Sequence, residues 1–326
     1  PRQGILRLRE FNMAEVEAFF HPDERQWTGD MRTYAETELT LVPSGGEEVR
    51  TTLGEALEGG VISNEALAYF VGVTQRFLVG VGVDPDRLRF RQHLQTEMAH
   101  YASDCWDAEA LLSFGWVELV GIADRGDYDL RAHHDFSGTD MRVFIRYPEP
   151  HEVEVERLTP VHKELGPRFR GEAKAVATVL QEADASAVDD EGVATVEVPE
   201  GDGTRPVRVP PECFSLERKV ERVTGERVLP HVVEPSFGID RVLWTVLEHA
   251  HTQRVGDDGE AMTVLRLPPL VAPVTAGVFP LVTKDGLDVM AERVDARLRG
   301  AGLRTYHDGS GSIGRRYARA GEVGVP

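Results

Sequence analysis

Eight consecutive residues, Glu234 to Arg241, bring together a carboxylate, a hydroxyl and a guanidinium, in the order Glu-Pro-Ser-Phe-Gly-Ile-Asp-Arg. A strand-like run from Val228 to Val233 leads into them, and Ile239, Val242, Leu243, Val246, Leu247 and Ala250 follow at helical spacing. Pro235 and Gly238 punctuate the junction. A helix starting there adds backbone N–H groups that favour an anion. Such a corner can hold a cationic amine and a phosphate side by side. An ordinary strand-to-helix turn with a surface ion pair is the plainer alternative for these residues taken alone.

A second set of side chains lies near the start. Read as one strand, Gly4 to Glu17 places Arg7, Arg9, Phe11, Met13 and Glu15 on one face. Two arginines, an aromatic ring and a carboxylate suit a ligand carrying a phosphate, a flat base and an amine. A half-exposed strand with its charges in water is the alternative. Glu118 sits among apolar residues in Trp116 to Arg125, which reads as an internal strand. A carboxylate there is costly unless it meets a cation or a metal. Asp124-Arg125 closes that strand with a ready ion pair. Arg87, Arg89 and Arg91 alternate along another strand-like run that ends at Leu94. His100, Asp104 and Cys105 lie close in sequence, but their spacing fits no standard zinc pattern, and structural roles are expected for them.

The elements that must position these groups can be read from periodicity. Glu38 to Val42 reads as a short strand. Asn64 to Val81 carries a helical stripe of Leu67, Phe70, Val71, Thr74, Phe77, Leu78 and Val81. Asp127 to His134 reads as a polar loop and Tyr147 to Pro150 as a break. Arg168 to Ala183 has a helix pattern, and Ala194 to Val209 reads as a hairpin turning at Glu200 to Gly203. From about Met262 a further domain is expected. Val271 to Val282, a helix over Gly286 to Arg299 and a strand over Leu303 to His307 give the βαβ pattern of a parallel sheet. Gly309 to Arg316 then sets small residues before Arg315 and Arg316, which suits contact with a phosphodiester backbone.

Bulk composition narrows the function classes. A chain of 326 residues argues for two or three domains. No run of eighteen apolar residues occurs, so no membrane span is expected. No leader follows Pro1, so no signal peptide is expected. Cys105 and Cys213 lack a Cys-x-x-Cys partner and read as reduced, buried or incidental thiols rather than a disulfide framework or a zinc site. The net charge is −19, and only four of the 36 basic residues are lysines. That charge repels nucleic acid at low salt. An acidic, lysine-poor chain suits concentrated salt, where the Debye length is about 3 Å at 1 M. A halophilic source is therefore expected, with an ordinary acidic cytosolic enzyme as the alternative.

The chain resembles the glycyl-tRNA synthetases of the archaeal and eukaryotic type, within class IIa of the aminoacyl-tRNA synthetases. The resemblance covers essentially its whole length. It rests on Arg7-Leu8-Arg9-Glu10-Phe11 with Met13-Ala14-Glu15, on Glu118 to Arg125, on Glu234 to Arg241 and on Ser310 to Arg319. It implies an α+β catalytic domain with an antiparallel sheet over residues 1–260, N-terminally truncated, with an inserted subdomain at about 150–212. Residues 262–326 would begin an α/β anticodon-binding domain, truncated at its C-terminal end. The implied reaction is the ATP-dependent activation of glycine to glycyl-adenylate and transfer of glycine to the 3′ end of tRNA(Gly). The resemblance implies that Arg7 holds the ATP phosphates, that Phe11 stacks on adenine, and that Leu8, Glu118 and Leu119 line the nucleotide, Glu118 through Mg²⁺. Arg241 would lie on the other side of the adenine and phosphates. Glu15, Glu234, Pro235 and Ser236 would bind glycine, and Arg315 and Arg316 tRNA.

The same resemblance implies a cytoplasmic homodimer with no membrane association. The family's Phe-Arg-x-Glu segment would precede Pro1, together with a dimer-forming helix and strand. These 326 residues alone are accordingly expected not to activate glycine. A synthetase of the same class for another amino acid is one alternative. A non-catalytic, synthetase-like nucleic-acid-binding protein is another.

Overall fold

Along residues 88–92, Leu88 and Phe90 are buried while Arg89 and Arg91 face the other way. That period of two builds the main sheet. The computed structural model describes residues 10–22, 28–201, 203–255, 259 and 261–326. Arg7, Leu8 and Arg9 lie outside them. The chain divides into two compact units, one of residues 1–142 with 229–326, the other of residues 143–228.

In the first unit the chain runs through β1 (Met13–Glu15), β2 (Ala18–Phe20), β3 (Glu38–Val42), β4 (Val49–Thr52), α1 (Leu53–Glu58) and α2 (Glu65–Val81). β5 (Leu88–Gln92), β6 (Asp104–Leu112), β7 (Gly115–Gly126) and α3 (Tyr128–Ser137) follow. The second unit holds β8 (Val143–Pro160), α4 (His162–Phe169), α5 (Ala173–Glu182), β9 (Ala194–Glu200), β10 (Gly203–Val209) and β11 (Phe214–Val228). The first unit resumes with β12 (His231–Gly238), α6 (Ile239–Ala250), β13 (His251–Val255) and β14 (Ala261–Leu265). It ends in β15 (Ala276–Val278), α7 (Leu287–Gly300), β16 (Thr305–His307) and α8 (Ile313–Glu322).

The main sheet has the order β1-β12-β7-β6-β5-β3-β4, with β2 also paired to β12. Its pairs are antiparallel except β3 with β5. The antiparallel sheet expected of the catalytic fold is thus present. One face carries the core. Phe90, Trp106, Ala108, Val120, Ile122 and Val233 are buried with Leu67, Val71 and Leu78 of α2 and with Val242, Val246 and Ala250 of α6. At about 25 cal/mol per Å² of apolar surface removed from water, this burial dominates the favourable side of folding. Asn64 accepts from the Leu67 N–H to start α2, and Gly82 in the left-handed region ends it. The α6 stripe is narrower than its spacing suggests, since Leu243 and Leu247 are exposed.

Four local expectations change. The motif residues Glu234 to Gly238 continue β12 rather than forming a corner, and α6 starts at Ile239. Residues 128–137 form helix α3 in place of a polar loop. None of its residues is buried, so it has no apolar stripe to read, and Asp127 closes its first turn by bonding the Arg131 backbone and guanidinium. Tyr147 to Pro150 lie inside β8 yet interrupt its ladder, which passes from Arg146↔Gly225 to His151↔Val223. The single helix over 168–183 is two, α4 and α5, parted at Arg170 with φ of 45°.

The second unit gathers its own core from Leu158, Leu165, Val176, Leu180, Val196 and Phe214 beside the long β8–β11 ribbon. The expected hairpin is β9–β10. In the first unit β15 and β16 pair in parallel with α7 between them, the βαβ unit read from periodicity. No helix among the described residues is long and apolar enough to cross a membrane.

Candidate active site

The face of the main sheet opposite the core is polar. In register across five strands lie Glu15 of β1, Ser236 of β12, Gly121 of β7, Asp107 of β6 and Arg91 of β5. Ser236, Gly121, Asp107 and Arg91 are each flanked along the strand by a residue turned to the core, such as Phe237, Val120, Ile122, Trp106 and Phe90. Glu234 stands two residues before Ser236 on β12, hence on the same face.

The sheet brings three of the four residues expected to hold glycine together by side chain. Ser236 Oγ donates to Glu15 Oε1 at 3.1 Å. Glu234 accepts from Arg125 Nη1. Arg125 also bonds Asp129 and lies over the Tyr101 ring at 4.4 Å, which fixes the guanidinium and with it the Glu234 carboxylate. The expected Asp124–Arg125 pair does not form, because neighbours along a strand face opposite ways. Asp124 is buried and accepts instead from Asn64 Nδ2 at 2.7 Å and the Gly126 N–H at 3.0 Å. Pro235 is buried on the core side of β12, so any part it takes is through its backbone.

A β-bulge decides what β7 presents. Ala108 pairs with Val120 and Glu109 with Glu118, leaving Leu119 as the extra residue. Glu118 and Gly121 therefore share the polar face, although three residues apart. The Leu119 side chain is buried in the core, against the expectation that it lines a nucleotide, and only its backbone remains for that role. Arg241, in the first turn of α6, reaches across to β7, where Nη1 donates to Glu118 O at 2.9 Å and Oε2 at 3.2 Å. The Glu118 side chain is 50% exposed, and its oxygens are hard donors of the type Mg²⁺ takes. Asp240 accepts from the Asn12 backbone N–H at 2.8 Å and Nδ2 at 3.2 Å, bonds that hold its carboxyl below the usual range. This latch ties the start of α6 to the stretch carrying Phe11, whose ring is exposed.

Sequence reasoning left out the ion network beside these groups. Arg91 bonds Asp107 at 3.1 Å, Glu109 at 3.0 Å and Glu97 at 2.9 Å. Arg89 bonds Glu109 at 2.9 Å and lies over Trp116 at 3.9 Å. Burial opposes charge on Arg91, but its bonds to Glu97 and Glu109 outweigh that and raise its pKa. The signal was in the sequence, since Arg89 and Arg91 alternate on β5 as Asp107 and Glu109 do on β6.

His93, Cys105 and Asp107 offer donor atoms within 4.8 Å of one another. One Asp107 oxygen already serves His93 Nε2 at 2.7 Å and Arg91 Nη2 at 3.1 Å. Burial, with the charges of Asp107, Asp104 and Glu118, pushes the Cys105 thiol up to about 12. His93 and Asp107 are thus joined by a hydrogen bond that Arg91 shares, beside a buried thiol. His100 and Asp104 are elsewhere: His100 packs edge-on to Tyr101 and Tyr128, and Asp104 bonds Gln92 and Trp106.

The expected tRNA-binding arginines part company. Arg315 is exposed. Arg316 is buried and donates to the carbonyls of Pro280, Gly309, Ser310 and Gly311, so it clamps the loop before α8 instead of meeting a partner. With four of its five N–H donors taken by carbonyls and the side chain buried, this guanidinium offers no two-donor face to a phosphate.

No protein-family model matches the chain. It is 48% identical over 326 residues to the glycine--tRNA ligase of Archaeoglobus fulgidus, covering all of this chain and 56% of that protein. To the glycine--tRNA ligase of Methanothermobacter thermautotrophicus it is 47% identical over 336 aligned positions, with 100% and 57% coverage. To that of Methanocaldococcus jannaschii it is 41% identical, with 100% and 58% coverage. The chain thus spans a little over half the length of these relatives. Among solved structures, prolyl-tRNA synthetase from Cryptosporidium parvum, complexed with L-proline and AMP, aligns with 99% of this chain and 43% of that one at 13% identity and a TM-score of 0.41.

Proposed function

We propose that this chain, a homologue of the archaeal glycine--tRNA ligases along its whole length, is the ATP- and glycine-binding core of an enzyme that charges tRNA(Gly) with glycine. The observation that carries this reading is the setting of Glu15, Ser236 and Glu234 on one polar sheet face, with Ser236 bonded to Glu15. Glycine offers no side chain to grip, so selectivity depends on its ammonium and on excluding anything larger. A carboxylate about 4 Å from an ammonium gains about 4 kcal/mol at an effective dielectric near 20. Glu15 and Glu234 take the ammonium, with Ser236 holding Glu15 and Arg125 holding Glu234 in place.

In the proposed reaction a glycine carboxylate oxygen bonds the α-phosphorus of ATP while the bond to pyrophosphate breaks. A terminal ribose hydroxyl of tRNA then displaces AMP from the glycyl carbonyl. No protein nucleophile is required, because positioning and cationic stabilisation of the phosphate carry the rate. Arg241 supplies that charge from the α6 N-terminus, and Arg7 is proposed for the phosphates as well. Phe11 stacks on adenine from the latch that Asp240 makes with Asn12. Mg²⁺, held with the triphosphate by Glu118, would neutralise phosphate charge. In this reading residues 1–260 form the catalytic domain, with the insert at about 150–212. Residues 262–326 open the anticodon-binding domain, where Arg315 faces tRNA, and the whole protein is a homodimer.

The deciding measurement is amino-acid-dependent ATP–pyrophosphate exchange, made with this chain inside a protein of its relatives' full length. Exchange with glycine alone is expected. Exchange with threonine, proline or histidine in its place would assign another synthetase, and none with any amino acid would leave a non-catalytic nucleic-acid binder.

A further inference from the structure

Gly121 interrupts the polar row. The row runs carboxylate, hydroxyl, no side chain, carboxylate, guanidinium through Glu15, Ser236, Gly121, Asp107 and Arg91. Neighbouring strands are about 4.8 Å apart, so the Ser236 and Asp107 backbones stand roughly 10 Å apart, and residue 121 between them contributes no side chain. Val120 and Ile122 are buried in the core, so the open side of residue 121 is the polar face.

Nothing among the described residues asks for glycine at this position. Its backbone is not among the left-handed residues. Among the described residues, a Cβ placed on it would meet only Asp107 Oδ1 at 3.7 Å and Glu118 Oε1 at 3.9 Å, which are ordinary contacts. Glycine within a strand weakens it, and one that neither turn nor packing requires marks a place where something approaches the backbone closely. Here the approaching group would be flanked by two carboxylates, beside the Ser236–Glu15 bond.

We propose that Gly121 is the floor of the amino-acid pocket and a determinant of its selectivity. The amino acid lies against the bare β7 backbone between Ser236 and Asp107, and the missing methyl group is the space its α-carbon occupies. This inference rests on the glycine-activating reading above.

The test is Gly121→Ala in the full-length protein, read by glycine-dependent exchange, by the KM for ATP and by thermal unfolding. The expected result is a glycine KM raised by about tenfold or more, the scale of one methyl group in a close-fitting pocket. The KM for ATP stays unchanged and the melting temperature holds or rises. A glycine KM equal to that of the parent would overturn the proposal. So would a variant that fails to fold, since the glycine would then serve packing and not ligand space. Absence of glycine-dependent exchange in the parent would instead remove the functional reading on which the proposal stands.

Discussion

Ser236 donates its hydroxyl to Glu15 at 3.1 Å across 221 residues of sequence, joining the strand that enters α6 to β1, the first strand among the described residues. The pair is set by register, since Glu15 and Ser236 are partners in the β1–β12 ladder. A hydroxyl that orients a carboxylate improves the carboxylate's aim without adding charge. Ser236→Ala is therefore expected to raise the glycine KM by roughly fivefold, the scale of one net hydrogen bond. Glu15→Gln removes the charge itself and is expected to cost more. Steady-state exchange kinetics on both variants check the order, and a larger effect from Ser236→Ala than from Glu15→Gln would contradict it.

Arg125 gives a second prediction. Its guanidinium bonds Glu234 and Asp129 and stacks on Tyr101. Lysine keeps the charge but loses the planar fork and the stacking. Arg125→Lys is expected to lower kcat/KM for glycine by roughly 30-fold or more, the scale of truncating one partner of a partly buried charge pair. Retention of full activity would mean that Glu234 needs no such support.

Much of the fold was legible because its signals are local. The alternation in β5, the apolar run in β7 and the stripe on α2 depend on residues within a few positions of one another. Helix α3 was not legible, since it buries none of its residues and shows no periodicity. Glu118 could be singled out as a carboxylate in an apolar strand. That it shares a face with Gly121 could not, because a single extra residue at Leu119 reverses the alternation. The same limit applies to Arg125, whose partner is 109 residues away on another strand while its sequence neighbour Asp124 faces the core. Arg316 shows the opposite error: paired arginines after small residues suit a phosphate, yet helix α8 turns one of the two inward onto carbonyls.

His249 sets a pH dependence on stability. The Asp84 N–H donates to Nδ1 at 3.0 Å, and Nε2 donates to Leu111 O at 3.1 Å. That pattern requires the neutral ring. Burial is the main cause that lowers its pKa from 6.5 in the folded state. The unfolded chain therefore binds the proton at higher pH than the folded one. Stability is fully present above about pH 6.5 and falls as pH drops through the folded-state value. Urea unfolding across that range should show the loss in the parent protein and a shallower slope in His249→Gln. Equal slopes would show that another group titrates.

The charge of −19 leads to the last expectation. Acidic side chains outnumber basic ones by 55 to 36, and only four of the basic residues are lysines. Within the first unit several carboxylates are tied to arginines on the sheet, as Asp107 and Glu109 are to Arg91 and Arg89, and those partly buried pairs are little affected by salt. The unpaired surface excess is different. Its self-repulsion acts over about 10 Å at 0.1 M salt and over about 3 Å at 1 M, so raising KCl relieves it while leaving the internal pairs intact. Thermal unfolding of the full-length protein is expected to shift upward between 0.1 M and molar KCl, and glycine-dependent exchange to persist at the higher concentration. A melting temperature that does not move with KCl would mean that the acidic excess is already balanced by its own arrangement, and the halophilic reading of this composition would fail.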